Sequence, residues 1–411
     1  MPGELQGRTV VIRDEREANK VHNRGYPGIP QSGGSLKLGL LEAAFLMDEK
    51  DFSIEGIDHL ADLFHHTGGI LSDFEVQYLV YRTLKLRGFF VKIPDHHFSE
   101  DEGPCDGNDP SVGLDPSRGN DPSVGLDPSN GCDRSDGDRN AENNSDSQDG
   151  NPPHPTPPLR ERHFRLLPRG SKPSTPAVIH VLPIPEREGF SLSVFRSFAS
   201  ECLLRGVDGM IGIVDEDGDV TFYSVKTSMP VGDCPATSGR VLPAKLGQNR
   251  VVVPQGKGVT LLNERGFFGQ VMGSMLHLSL IEALYLVECG KIVIDGIEKL
   301  VEFQARAMEE QRDIGLRYPV YRALRKNGVR VKTGFKYGTH FRAYSQDPDT
   351  SHADFLVHVL EDGTEVDWQI ISRAIRVAHG VRKRILFTSP AIMETDAQKA
   401  DHFLELVWTR P

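Results

Sequence analysis

The stretch Tyr78-Leu-Val-Tyr-Arg-Thr-Leu-Lys-Leu-Arg-Gly-Phe-Phe-Val-Lys92 returns as Tyr318-Pro-Val-Tyr-Arg-Ala-Leu-Arg-Lys-Asn-Gly-Val-Arg-Val-Lys332. The same offset pairs Leu38-x-Leu40-Leu41-Glu42-Ala43 with Leu278-x-Leu280-Ile281-Glu282-Ala283. It also pairs Ile54-Glu-Gly56-Ile57 with Ile294-Asp-Gly296-Ile297. With one gap, Arg24-Gly25-Tyr26 matches Arg265-Gly266-Phe267. Motifs held in register over such a distance mark a tandem duplication, which takes precedence over any local reading.

Working outward from these motifs, both repeats read alike. A β segment (Thr9 to Ile12; Arg250 to Val253) leads through a Gly-rich turn into an apolar helix carrying the Leu-Glu-Ala motif. A second helix follows near Ile57 or Ile297. The third, around Tyr81 or Tyr321, stops at Gly88 or Gly328, as a C-cap glycine would stop it. The segments after those glycines (Phe89 to Ile93; Val329 to Lys332) alternate as strands do. The fold class is therefore α/β (α+β), each repeat holding an N-terminal helical/sheet unit and a mixed-sheet endonuclease-like unit. The divisions fall at 1–72, 73–228, 229–312 and 313–411, the first mixed-sheet unit being the degenerate one. An acidic insertion interrupts it at about 98–160. There Gly107-Asn-Asp-Pro-Ser-Val-Gly-Leu-Asp-Pro-Ser117 recurs from Gly119. A segment so rich in Asp, Gly, Pro and Ser buries too little apolar surface to offset its ordering entropy, and disorder is expected.

Bulk properties remove several function classes. At 411 residues the chain exceeds one ordinary core. No apolar run approaches the roughly 18 residues of a membrane span, and the N-terminus has no signal-peptide pattern. Five scattered cysteines without a CxxC pair argue for a reducing, cytoplasmic setting and against a structural zinc site. The formal charge of -11 disfavours a polyanion ligand in bulk. Much of the acid lies in the insertion, however, while Arg373, Arg376, Arg382, Lys383 and Arg384 form a basic cluster in the last third. The local patch, not the net charge, governs binding.

The chemistry concentrates after Tyr344. Ser351-His352-Ala-Asp-Phe-Leu-Val-His358-Val reads as a strand with His352 at its mouth. A helix from about Val366 to His379 follows, with Trp368, Ile371, Ile375 and Ala378 on one face, ended by Gly380. Val381 to Phe387 begins another strand. Tyr344, His352 and Lys383 thus fall at loop or strand boundaries, where active sites gather. Together they suit metal-free RNA cleavage. Attack by a ribose 2′-OH needs a proton acceptor, a proton donor for the leaving 5′-oxygen, and a cation for the charged phosphorane. His352 suits the donor, with a reference pKa of about 6.5. Lys383 supplies charge. Tyr344, a phenol of reference pKa about 10, needs cations such as Lys383 or Arg342 beside it to act as a base.

A gapped comparison of the repeats places Leu167, Ser174 and Gly209 where the second half has Tyr344, His352 and Lys383. Loss of the chemically useful groups from one framework points to a structural half and a catalytic half. The run Tyr318-x-Val-Tyr-Arg-x-Leu-Arg-x-x-Gly-x-x-Val-Lys-Thr-Gly-x-Lys-Tyr-Gly-x-x-Phe-Arg-x-Tyr344, with His352 and Arg376-Val-Ala-His-x-Val-Arg-Lys383, resembles the archaeal tRNA-intron endonuclease family. The duplicated layout is similar to its two-repeat, homodimeric class.

That resemblance implies Tyr344 as general base, His352 as general acid and Lys383 as the transition-state cation. It implies a bulge-helix-bulge pre-tRNA substrate, 2′,3′-cyclic phosphate and 5′-hydroxyl products, and no metal or cofactor. It further implies that Arg376 and Arg410 clamp a flipped base, as guanidinium planes stack on bases. Val214-Asp215-Glu-Asp217-Gly-Asp219-Val has no acidic counterpart in the second repeat, where Ser389-Pro-Ala-Ile-Met-Glu stands. By resemblance it docks in a basic pocket of a second copy; alone it reads as an Asp-Gly turn. The rival readings are a non-catalytic RNA-binding scaffold and a metal-dependent nuclease using Glu361, Asp362 and Asp367.

Overall fold

A computed structural model describes residues 3–68, 71, 73–94, 97–98, 163–172, 174–235, 239–394 and 402–411. The acidic insertion lies outside them. The described residues belong to one compact unit, and the duplication holds throughout it.

Each repeat opens with a small sheet. In the first, Glu4–Gln6, Thr9–Ile12, Leu36–Gly39 and Ile29–Pro30 lie side by side; in the second, Gln270–Met272, Met275–Ser279, Arg250–Pro254, Leu242–Leu246 and Ile292–Ile294. The Leu-Glu-Ala helices follow as Leu40–Glu49 and Leu280–Glu288. Their glutamates are buried for a structural reason. Glu42 accepts the N–H groups of Gly28 and Gly39, and Glu282 those of Gly269 and Ser279, which closes the helix start onto the preceding turn. The second helices, Leu60–Gly68 and Leu300–Glu310, begin just after Ile57 and Ile297. The third helices are Phe74–Leu86 and Ile314–Lys326. Gly88 and Gly328 follow them with φ of +85° and +74°, the left-handed turn expected there.

The two mixed sheets are one. Its ten strands run Arg330–Thr333, Phe341–Tyr344, Phe355–Val359, Arg384–Thr388, Phe403–Thr409, then Val220–Ser228, Asp208–Val214, Ile179–Pro185, Phe164–Leu167 and Phe90–Lys92. Each half has a single parallel pair, Phe355–Val359 with Arg384–Thr388 and Ile179–Pro185 with Asp208–Val214. The halves meet where Val220–Ser228 lies antiparallel to Phe403–Thr409, in register from Phe222↔Thr409 to Ser228↔Phe403.

Strand residues alternate between faces, so one face of this sheet packs against the third helices and the other against Leu192–Leu204 and Trp368–Gly380. The second face carries a core drawn from both repeats. Trp368, 1 % exposed, lies edge-on to Phe190 and Phe195 with centroids 5.2 and 5.3 Å away, and stacks on Tyr223 at 6.2 Å. All three partners belong to the first repeat. The helix expected from Val366 starts two residues later, because Val366 pairs with Phe190 in a short strand across the same junction.

Truncating a fully buried Trp costs about 3–5 kcal/mol. Trp368→Ala is therefore expected to lower the urea midpoint and to loosen both halves together. An unchanged midpoint would show that the shared core does not hold the halves.

Candidate active site

The register of three adjacent strands assembles the polar site. Ala343 lies opposite Phe355, and Phe355 opposite Arg384. One residue further along, the chain continues the row: the N–H of Asp354 donates to Ala343 O at 3.0 Å, and the N–H of Arg384 to Asp354 O at 3.1 Å. Tyr344, Asp354 and Lys383 are therefore neighbours at one end of the sheet. Tyr344 and Lys383 alternate in phase with Leu356 and Ile385, which face the helix Trp368–Gly380.

Different local causes hold each group. Tyr344 ends its strand and is buried, 7 % exposed, with the Arg342 guanidinium 6.0 Å from its ring centre. His352 is exposed and precedes its strand by a short loop wound around Asp347. In that loop the Ser351 N–H and hydroxyl both donate to Asp347 O, at 2.8 and 2.7 Å. Lys383, half-buried, follows Arg382, whose φ of +54° is rare for a side chain with a Cβ. That turn lets the Lys383 N–H donate to Ala378 O at 2.9 Å and swings the chain off the helix into the sheet. Gly380, expected as the terminator, is the last residue of the helix itself.

Other histidines nearby are poor candidates for the same work. Burial and the adjacent His358 push His340 down to about 4; burial and His163 do the same to His180. His340 Nδ1 is also occupied, accepting the Val359 N–H at 3.0 Å.

Arg376 lies exposed on the helix, one turn before His379. His379 meets the Trp408 ring edge-on at 5.2 Å, and the Arg410 guanidinium lies over that ring at 4.9 Å. Continuing the pairing Ile385↔Leu406 by two residues brings Trp408 beside Lys383. The basic and aromatic surface thus borders the row of Tyr344, Asp354 and Lys383. The sequence reading missed Trp408, His379 and Asp354. Their only signal there is adjacency to the polar motif, since none has a period or spacing of its own.

The structure corrects two of the three correspondences between repeats. Phe90↔Leu167 repeats Arg330↔Tyr344, so Leu167 is the counterpart of Tyr344. The N–H of Val207 donates to Cys202 O after the positive-φ Gly206, as that of Lys383 does to Ala378 O after Arg382. Val207, not Gly209, therefore stands for Lys383. Asp208 N–H donates to Val178 O as Arg384 N–H does to Asp354 O, which makes Pro176, not Ser174, the counterpart of His352. The gapped comparison failed in two places: it matched Gly206 to Gly380, and it matched His180 to His358, whereas the register sets His180 against Leu356. The left-handed position is held by glycine in one half and arginine in the other. All three polar groups are still missing from the first half.

The carboxylates of the metal-nuclease reading lie elsewhere. Glu361 and Asp362 follow the far end of Phe355–Val359, where Asp362 accepts the Ala391 N–H at 3.1 Å, and Asp367 stands at the start of the helix whose end precedes Lys383.

Family models and known proteins match both repeats of the chain. The family model for the tRNA intron endonuclease catalytic C-terminal domain matches residues 314–396, and the model for its N-terminal domain matches twice, at 1–61 and 242–305. A tRNA-splicing endonuclease of Haloferax volcanii is 30% identical over 399 residues, covering 94% of each chain. One of Methanosarcina mazei is 29% identical over 399 residues, covering 93% of each. One of Thermococcus onnurineus is 37% identical over 169 residues, which is 95% of that protein but 40% of this chain. Fold and comparisons together define a duplicated nuclease. The chain belongs to the tRNA intron endonuclease family, and it is an endonuclease.

Proposed function

We propose that this chain excises introns from pre-tRNA at bulge-helix-bulge junctions, without metal, leaving 2′,3′-cyclic phosphate and 5′-hydroxyl ends. The observation that carries the reading is the row at one end of the second half's sheet, set against a first half in which Leu167, Pro176 and Val207 replace its three reactive groups. Tyr344 takes the proton of the attacking 2′-OH. His352, exposed at the loop mouth, gives one to the departing 5′-oxygen. Lys383 faces the phosphorane with its ammonium. No atom of this scheme requires a carboxylate cluster, and the electrostatic work falls to a fixed cation.

Arg376 and Arg410 grip a base unstacked at the junction. The Arg410 plane is already backed by Trp408, which lowers the cost of presenting it to a ring. Two copies act together. The turn of Asp215, Asp217 and Asp219 projects from the first half, its shape set by Asp215 Oδ1, which accepts the N–H groups of Asp217 and Asp219 at 3.1 and 2.9 Å. A cavity of about 590 Å³ in the second half is lined by Arg250, Arg317 and Lys332 as well as by Asp313 and Glu282, so cations outnumber carboxylates there, and a second copy's turn docks in it.

Three outcomes are expected. In excess EDTA, wild type cuts an end-labelled bulge-helix-bulge RNA to cyclic-phosphate ends, and His352→Ala slows cleavage by about 10²–10⁴, the usual worth of a general acid. A folded, RNA-binding wild type that never cuts would leave a non-catalytic scaffold, and cutting restored only by Mg²⁺ a metal nuclease. Arg376→Ala and Arg410→Ala each weaken binding of the junction RNA by about 1–3 kcal/mol, as lost base stacking does, in a fluorescence anisotropy titration. Equal affinity for all three proteins would remove the clamp. Replacing Asp215, Asp217 and Asp219 together by Asn keeps the side-chain acceptors of the turn but not its charge, so sedimentation should reveal a weakened dimer with reduced activity. A triple variant as dimeric and active as wild type would reject docking by charge.

A further inference from the structure

Ser345, immediately after Tyr344, is held at both of its backbone polar atoms. Its N–H donates to Asp354 Oδ2 at 2.8 Å. Its carbonyl accepts the Asp233 N–H at 3.0 Å, from the segment that joins the two repeats. The Asp233 carboxylate in turn pairs with Arg330, the residue opposite Tyr344 in the sheet. Asp354 also donates its own N–H to Ala343 O, so it bonds the chain on either side of Tyr344. These bonds close the neck of the loop 345–353. Tyr344 enters that loop, and His352 leaves it two residues before Asp354.

A side chain at a strand end that caps a loop N–H is common and often serves the fold alone. The duplication provides an internal control against that reading. The counterpart of Ser345 is Pro168, which has no N–H to give; that of Asp354 is Val178, which has no side-chain acceptor. Arg330 is replaced by Phe90. The backbone framework around them persists, for the Val178 N–H donates to Leu166 O at 2.8 Å as that of Asp354 does to Ala343 O. The sheet therefore forms equally well without the neck bond. Donor and acceptor are lost together in the half that lost the tyrosine, the histidine and the lysine.

We propose that Asp354 is a positioning residue of the catalytic centre, and this rests on the assignment of Tyr344 and His352 as base and acid. By accepting the Ser345 N–H, Asp354 fixes the backbone that carries Tyr344 and the point from which His352 is presented. The interaction needs an oxygen acceptor in one place rather than a negative charge. A misplacement of about 1 Å in such a constellation costs on the order of a hundredfold in rate.

The test compares wild type, Asp354→Ala and Asp354→Asn in single-turnover cleavage of bulge-helix-bulge RNA. RNA affinity is measured alongside, with amide hydrogen exchange over 345–353. Asp354→Ala is expected to cut about ten- to a hundredfold more slowly with RNA affinity unchanged and faster exchange in the loop. Asp354→Asn, whose side-chain oxygen accepts the same bond, is expected to recover most of the rate. A wild-type rate in Asp354→Ala overturns the proposal. So does an Asn variant as slow as the Ala variant, which would assign the role to charge, or a rate loss matched by lost RNA affinity. If wild type itself does not cut, the reaction assignment fails instead. Exchange then decides alone: faster exchange in Asp354→Ala supports the closed neck, and unchanged exchange overturns it.

Discussion

The antiparallel pairing of Val220–Ser228 with Phe403–Thr409 is the constraint on which the rest of the structure hangs. Each strand would otherwise leave an unpaired edge of N–H and C=O groups, an open template for misassociation. Duplication within one chain lets each half cover the edge of the other. The pairing also brings two helices onto one face, where Trp368 packs among Phe190, Phe195 and Tyr223. Backbone bonds set the register of the join, and apolar burial supplies the larger stabilising term. The polar row lies close to this seam, because Trp408, beside Lys383, is itself opposite Tyr223 of the first half.

With the join made, the two halves are free to diverge. The first keeps the strands, the helices and the parallel pair, and fills the polar positions with Leu167, Pro176 and Val207. Where the second half has His379 and Gly380 at the helix end, the first has Leu203 and Leu204, 66% and 88% exposed. Nothing in the framework needs the polar residues. The second half bears costs the fold does not demand: an arginine in a left-handed conformation before Lys383, and charged groups crowded at a sheet end. Conformational strain of that sort is retained where the surrounding structure over-determines it.

The helices carrying the repeated motifs, the strands after Gly88 and Gly328 and the apolar face of Trp368, Ile371, Ile375 and Ala378 were all legible in the chain, for each rests on a periodicity or a terminating residue. The candidates Tyr344, His352 and Lys383 stood out in the chain because comparison with the first repeat separated them from the framework. The alignment behind that comparison slipped at Gly206, since sequence assigns left-handed turns to glycine and cannot see Arg382 adopt one, and at His180, where a shared His-Val-Leu triplet masked a shift of two residues. Asp354 stayed hidden because a carboxylate near a strand start has many ordinary uses. Its partner, the Ser345 N–H, is a backbone group with no sequence signature.

By itself, the sequence determined the duplication, the local elements of each repeat and the residue types of the candidate groups, since these depend on contacts within a few turns or on residue type. Tertiary structure alone decided that the two mixed sheets are one, which residues share the row with Tyr344, and which residues of the first half stand in for them. Those facts are set by strand register, and register is fixed by long-range backbone pairing and by burial of one face against the other half. A shift of one residue would turn Tyr344 and Lys383 to the opposite face without changing any local propensity.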